Sequence, residues 1–209
     1  AVQKRRYCTR VLPVASQRIG LIFDSMKQCR AIFGLIFFAG QWLSRAASDP
    51  ALDGPFPSTR LTLDIPGTQG ATLTTDVYYP GTTAAVSPGA GRCPVIVLGH
   101  GFSQSKEQHV NQGRHLATRG YLALIPNSNA ASDHSRFADD LRKCIDWIEA
   151  RNADINSLFF GRVRADRVGA TGHSAGGLSA ILAASRDARI RAVSPMDPVD
   201  NGGLGVAAL

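Results

Sequence analysis

Five consecutive residues, Gly172-His173-Ser174-Ala175-Gly176, fit the pattern G-x-S-x-G. A serine hydroxyl is a weak nucleophile by itself. It performs acyl transfer only where a base takes its proton and hydrogen-bond donors receive the charge of the tetrahedral intermediate. The pattern suits that chemistry when a strand precedes it and a helix follows, because the strained turn between them lifts the hydroxyl above the sheet. A small-residue turn packing a helix on a strand would have the same spacing, so the flanking elements decide between the two. Ser174 is the candidate nucleophile. The oxyanion donors expected in this context are the N–H after the nucleophile, Ala175, and one from the loop after an earlier strand, for which Phe102 in His100-Gly101-Phe102 is placed. Gly101 admits close backbone approach. The His100 side chain reads as a hydrogen-bonded histidine that orients this turn.

The elements needed to hold these groups are legible as alternating strands and helices. Residues 72–79 read as an early strand and 80–92 as a Gly/Pro-rich surface loop. The continuous apolar runs at 94–98 and 121–125 suit strands buried on both faces of a parallel sheet. A helix is predicted over 105–118. Phe137, Leu141, Cys144, Ile145 and Ile148 form the stripe of a second helix lying on the sheet. Residues 168–170 read as a short strand, 175–185 as a small-residue helix and 190–194 as a further strand. Ser174 therefore stands between a strand and a helix. The expectation is an α/β protein with a mostly parallel sheet and helices on both faces.

On these residues the sequence resembles the α/β-hydrolase superfamily. Within it the chlorophyllase-like branch is the nearest resemblance, carried by His100-Gly101-Phe102, by Gly172-His173-Ser174-Ala175-Gly176-Gly177 and by Met196-Asp197-Pro198-Val199-Asp200. Bacterial polyester hydrolases of the cutinase-like kind, which share the Gly-aromatic turn and a secretory leader, are the rival resemblance. The resemblance implies a carboxylic-ester hydrolase with a Ser-Asp-His triad, a small-molecule or polymeric ester substrate, and no cofactor or metal. It maps the triad acid to Asp197. Chlorophyllases commonly have Arg after the nucleophile, where this chain has Ala175.

Read from the residues alone, Asp197 lies at the carboxyl end of a predicted strand, where groups converge on the site of an open α/β sheet. Asp200 and an acid one strand later remain alternatives, and either Asp could be a turn or capping residue. The triad order in this architecture places the histidine last. Yet His100, His109, His115, His134 and His173 all precede Ser174. His173 reads as a support for the turn, and His109, His115 and His134 as surface or capping residues. The expectation is a hydrolase domain, 49–209, incomplete at its C-terminus and nearly inactive without its base. A non-catalytic secreted binding protein on the same scaffold is the reading from another class.

Charge and cysteines bear on the surroundings. Residues 1–48 hold the whole formal excess of +7, while the rest of the chain carries 15 charges of each sign. The basic excess that would point to nucleic acid is therefore confined to residues 1–48. Residues 26–48 read as a secretory signal peptide: a positive start at Met26–Arg30, an apolar run from Ala31 to Gly40, and Ala46-Ala47-Ser48 for cleavage. Ten apolar residues would span only about 15 Å, half of a bilayer core, so no membrane span is expected after cleavage. Residues 1–25 are an upstream segment without an assigned role. The location implied is secreted or periplasmic, and Cys93 and Cys144 are then either one disulfide or two buried thiols.

Overall fold

The computed structural model describes residues 49–208. The upstream segment 1–25 and the leader 26–48 lie outside the described residues. The described chain forms one mixed sheet with strands β1 (Ser58–Pro66), β2 (Thr72–Pro80), β3 (Cys93–Gly99), β4 (Leu122–Pro126), β5 (Val163–His173) and β6 (Ile190–Met196). Their order across the sheet is β1-β2-β4-β3-β5-β6. β1 and β2 are antiparallel to each other, and β2 is antiparallel to β4, while β4, β3, β5 and β6 run parallel. The helices are α1 (Val110–Thr118), α2 (His134–Ala153), α3 (Ala175–Arg186) and a short α4 (Leu204–Ala207). This is the α/β-hydrolase fold expected from the sequence.

Strand alternation divides the core between the two faces. Val77, Tyr79, Val95, Val97, Leu122 and Leu124 point to one face, where Phe137, Leu141, Ile145 and Ile148 of α2 and Leu178 and Leu182 of α3 cover them. Tyr78, Leu98, Ala123 and Ile125 point to the other and pack against Ala117 and Leu116 of α1. Among the described residues nothing covers β3, β5 and β6 on that second face beyond α1, where a groove of about 320 Å3 is lined by Ile96, Leu98, Leu116, Thr171 and Ala192 among others. β6 is the sheet's edge, with Arg191 to Ser194 exposed. Among the described residues no helix is long and apolar enough to cross a membrane.

Several expectations change. β1 was not foreseen, although Leu61, Leu63 and Ile65 alternate with polar residues in the manner of a half-buried strand. β5 is far longer than 168–170. Its first half, Val163 to Arg167, is rich in charge and shifts register against β3 at Pro94/Val95, which hides it from a search for apolar runs. The predicted helix over 105–118 is a single 3-10 turn, Lys106–His109, leading into α1, with Ser105 capping its start. Between Pro80 and Arg92 the chain is not a bare surface loop, since Val86 is buried and bridges back to Gly81. Cys93 and Cys144 are buried free thiols rather than a disulfide. Burial pushes Cys93 up to about 11, and Cys144 is pushed up as well.

Candidate active site

The carboxyl ends of the four parallel strands converge on one rim of the sheet, as expected for an open α/β fold. Gly99 of β3 is in register with Gly172 of β5, and His173 of β5 with Met196 of β6. The turn after β3, the bend after β5 and the loop after β6 are therefore neighbours. These segments hold Phe102, Ser174 with Ala175, and Asp197 respectively.

Ser174 occupies the bend with φ 52° and ψ −114°, a conformation that side chains rarely adopt. It is held there from both sides. The Ser174 N–H donates to the Met196 carbonyl at 3.0 Å, while its own carbonyl accepts from Leu178 N–H at 3.1 Å and Val199 N–H at 3.3 Å. Strand ladder, first helical turn and β6 loop thus jointly determine the strained residue. The bend also needs room. A Cβ at Gly176 would lie 2.2 Å from the Gly99 carbonyl oxygen and 2.5 Å from that of His100. The absence of side chains there lets α3 start directly against the end of β3. Ser174 is half-buried. It stands at the N-terminus of a twelve-residue helix, whose aligned peptide dipoles favour negative charge at that point.

The turn after β3 is fixed by its carbonyl. The Gly101 oxygen accepts from Gln104 N–H at 3.1 Å and lies 2.9 Å from His100 Nδ1. Because a trans peptide is planar, two donors on the Gly101 oxygen set the direction of the Phe102 N–H on the opposite side of the same plane. Among the described residues no protein acceptor takes the N–H of Phe102 or of Ala175. Two unclaimed donors on adjoining loops can stabilise an oxyanion where they converge. The Phe102 ring is exposed beside them.

His100 is buried against Phe137, and its Nε2 lies 3.2 Å from the Ser128 N–H. Nε2 also lies 3.1 Å from the Ser128 carbonyl oxygen; a proton on Nδ1 donates to the Gly101 oxygen and leaves Nε2 to accept from the Ser128 N–H. The Ser128 hydroxyl in turn donates at 2.6 Å to Asp140, a buried carboxylate of α2 that also accepts from the N–H and hydroxyl of Thr68. His100 is thus a turn-orienting residue anchored through the β4–α2 loop.

The other histidines divide differently from the expectation. His109 and His134 are buried rather than superficial, and His134 opens α2 instead of lying in a loop. Burial, then the nearby His100 and His173, lower the pKa of His109, and among the described residues neither of its ring nitrogens has a hydrogen-bond partner. His115 keeps a surface role beside Asp53 at 3.5 Å. His173 is half-buried with Nδ1 3.4 Å from Gln104 Oε1. Among the described residues no histidine reaches the Ser174 hydroxyl, and no cluster of ligands suited to a metal ion is found.

Asp197 follows Met196 directly, with φ 45°, so two adjacent strand ends each carry a left-handed non-glycine residue. Its side chain is exposed and has no donor among the described residues. Asp200, the alternative, accepts the Gly205 N–H at 2.6 Å and so serves the local turn leading into α4. Gln104 carried no signal in the sequence, since a glutamine in a turn fits no motif, yet it touches both halves of the site.

Comparison with known proteins gives this arrangement its relatives. The chain is similar to a bis(hydroxyethyl) terephthalate hydrolase of Streptomyces coelicolor, 28% identical over 157 residues, which cover 73% of this chain and 46% of the relative. It therefore spans about half the length of that relative. The family model described as PET hydrolase-like matches residues 44–203, most of the chain, and the chain belongs to that family.

Proposed function

We propose that the protein is a serine-dependent carboxylic-ester hydrolase of the cutinase-like, polyester-hydrolase kind, with terephthalate-type diesters and their polymers as the substrate class. The observation that carries this reading is Ser174 in its strained bend at a helix N-terminus, flanked by the unclaimed N–H groups of Phe102 and Ala175. The family match and the relative's ester substrate favour this branch over the chlorophyllase-like one. Ala175 in place of the chlorophyllase arginine agrees with that choice.

The mechanism is acyl transfer. Ser174 Oγ attacks the ester carbonyl while a general-base histidine takes its proton. The carbonyl oxygen, now negative, lies between the Phe102 and Ala175 N–H groups. The alcohol leaves with the proton returned by the histidine, and water, activated the same way, releases the acid from the acyl-serine. Asp197 is the acid that holds the imidazolium, since Asp200 is committed to the Gly205 N–H. A leader at 26–48 would deliver the enzyme outside the cytoplasm, where extended polyesters are met.

The test is to treat the full-length protein with a fluorophosphonate, map the adduct, and measure hydrolysis of bis(hydroxyethyl) terephthalate, a polyester film and chlorophyll. Adduct at Ser174 with terephthalate ester turnover is expected, and Ser174→Ala should lower kcat by about 10⁶. Asp197→Asn should lower it by roughly 10⁴ if it orients the base. Labelling at another residue would overturn the assignment of Ser174, and an Asp197→Asn enzyme of wild-type rate would overturn that of Asp197.

A further inference from the structure

One side chain joins the two loops that carry the oxyanion donors. Gln104 Oε1 accepts the Gly101 N–H at 3.1 Å and lies 3.4 Å from His173 Nδ1, which donates to it in the tautomer protonated there. The same residue's backbone N–H donates to the Gly101 carbonyl at 3.1 Å. Gln104 therefore closes the turn twice, once from each side of Gly101, with Ser103 held at φ 55° between them. Its side chain then reaches across to the residue preceding Ser174.

We propose that Gln104 is a positioning residue for the oxyanion hole: its amide oxygen, bridging Gly101 and His173, fixes the separation of the Phe102 N–H from the Ala175 N–H. This rests on the reading of Ser174 as nucleophile. The two donors come from different loops, after β3 and after β5, and the strand ladder that relates them ends at Gly99 and Gly172. Beyond that point the Gln104 oxygen supplies a lateral hydrogen-bonded link between a strained turn and a strained bend. Such a link acts on the transition state, because the donors matter most once the carbonyl oxygen has become an anion. Loss of the link leaves substrate binding nearly intact and weakens whatever depends on the paired donors.

The experiment compares wild type, Gln104→Met, His173→Phe and the double variant in the full-length protein. Methionine keeps the volume of glutamine and removes the acceptor, so a pure packing role would be preserved. Each variant is assayed for kcat and KM on a soluble ester and for inhibition by an aryl boronic acid. Ser174 Oγ adds to the boron of that inhibitor, its proton passing to the base, to give a tetrahedral adduct with an oxygen in the oxyanion hole. Gln104→Met should lower kcat and boronate affinity by a common factor, on the order of 10- to 100-fold, with KM within about twofold and little change in melting temperature. The double variant should lose no more than Gln104→Met alone, because both substitutions cut one link. Wild-type behaviour of Gln104→Met, or independent losses that multiply in the double variant, would overturn the bridge. If a variant melts lower, the cycle is run at a temperature where all four proteins are folded, and the same criterion decides. A wild-type protein with neither ester turnover nor a Ser174 adduct would remove the hydrolase reading and the bridge together. An adduct at Ser174 with an unaffected Gln104→Met enzyme removes the bridge alone.

Discussion

Replacing Gly176 by alanine tests whether the start of α3 and the end of β3 are packed backbone to backbone. The added Cβ would lie 2.2 Å from the Gly99 oxygen, 2.3 Å from the Gly99 carbonyl carbon and 2.5 Å from the His100 oxygen, where ordinary contact begins at 3.4 Å. Every one of these atoms is main chain, so no side chain can swing aside, and the elements must part by roughly 1 Å. Overpacking of this kind costs about 3 kcal/mol at the upper end of its usual range. Alanine recovers about 1 kcal/mol of helix propensity at this helical position. The net loss of about 2 kcal/mol should lower the melting temperature by about 4–8 °C in a domain of this size. Separation of Gly99 and His100 from the bend also carries the Phe102 N–H away from Ala175, and misplacement by about 1 Å can cost on the order of 10²-fold in kcat. The assay is thermal melting with ester kinetics on the full-length protein, with Gly89→Ala as control. There the nearest atom is Phe56 Cε1 at 3.6 Å, an ordinary contact, so melting and rate should stay at wild type. A Gly176→Ala protein that melts within about 1 °C of wild type at unchanged kcat would refute the reasoning.

Two further outcomes test the frame around the site. Asp76 is fully buried on β2, accepting from Lys106 Nζ at 2.9 Å and from the Thr62 hydroxyl at 2.7 Å, and Lys106 lies two residues after Gln104 of the turn that follows β3. Lys106→Met should cost about 3 kcal/mol by leaving that carboxylate underpaired, with Asp76→Asn in the same protein restoring part of the loss; a melting temperature equal to wild type would count against it. The Arg189 guanidinium beside Asp187 holds that carboxyl below its ordinary value of 3.8, so its contribution to stability is complete above that value and is lost as pH falls through the lowered one. Asp187→Asn should therefore be less stable than wild type at neutral pH and converge with it in acid, and a difference independent of pH in denaturant titrations would contradict the linkage.

How much of this was legible depends on the range over which each feature is written. The parallel strands β3 and β4 were readable because burial on both faces leaves an unbroken apolar run, and α2 because its stripe recurs at helical spacing. The bend at Ser174 was readable because its glycines sit within two residues of the serine. What escaped lay in pairs far apart in the chain. The buried partner of Asp76 is Lys106, thirty residues on, and nothing local distinguishes that lysine from a solvated one. The depth of His109 depends on the elements that close around it, which no feature of its own turn announces. Gln104 escaped for a related reason, since its proposed role rests on a contact with His173, 69 residues away.

The backbone of the site joins these observations. Ser103, Ser174 and Asp197 all have positive φ, and the elements that bear them are neighbours on one rim of the sheet. An isolated non-glycine residue in that conformation costs on the order of 1–3 kcal/mol and persists only where surrounding structure determines it. At Ser174 the surrounding structure is the bond to the Met196 carbonyl together with the first turn of α3. At Ser103 it is the double closure by Gln104. At Asp197 the preceding carbonyl is held by Ser174 and the next segment returns through the Val199 N–H to the Ser174 oxygen, so the serine and the aspartate constrain each other. Strain at the proposed nucleophile and at the proposed acid is thus supported by one shared set of main-chain bonds. A change that relaxes either residue should move the other, even where it touches neither hydroxyl nor carboxylate.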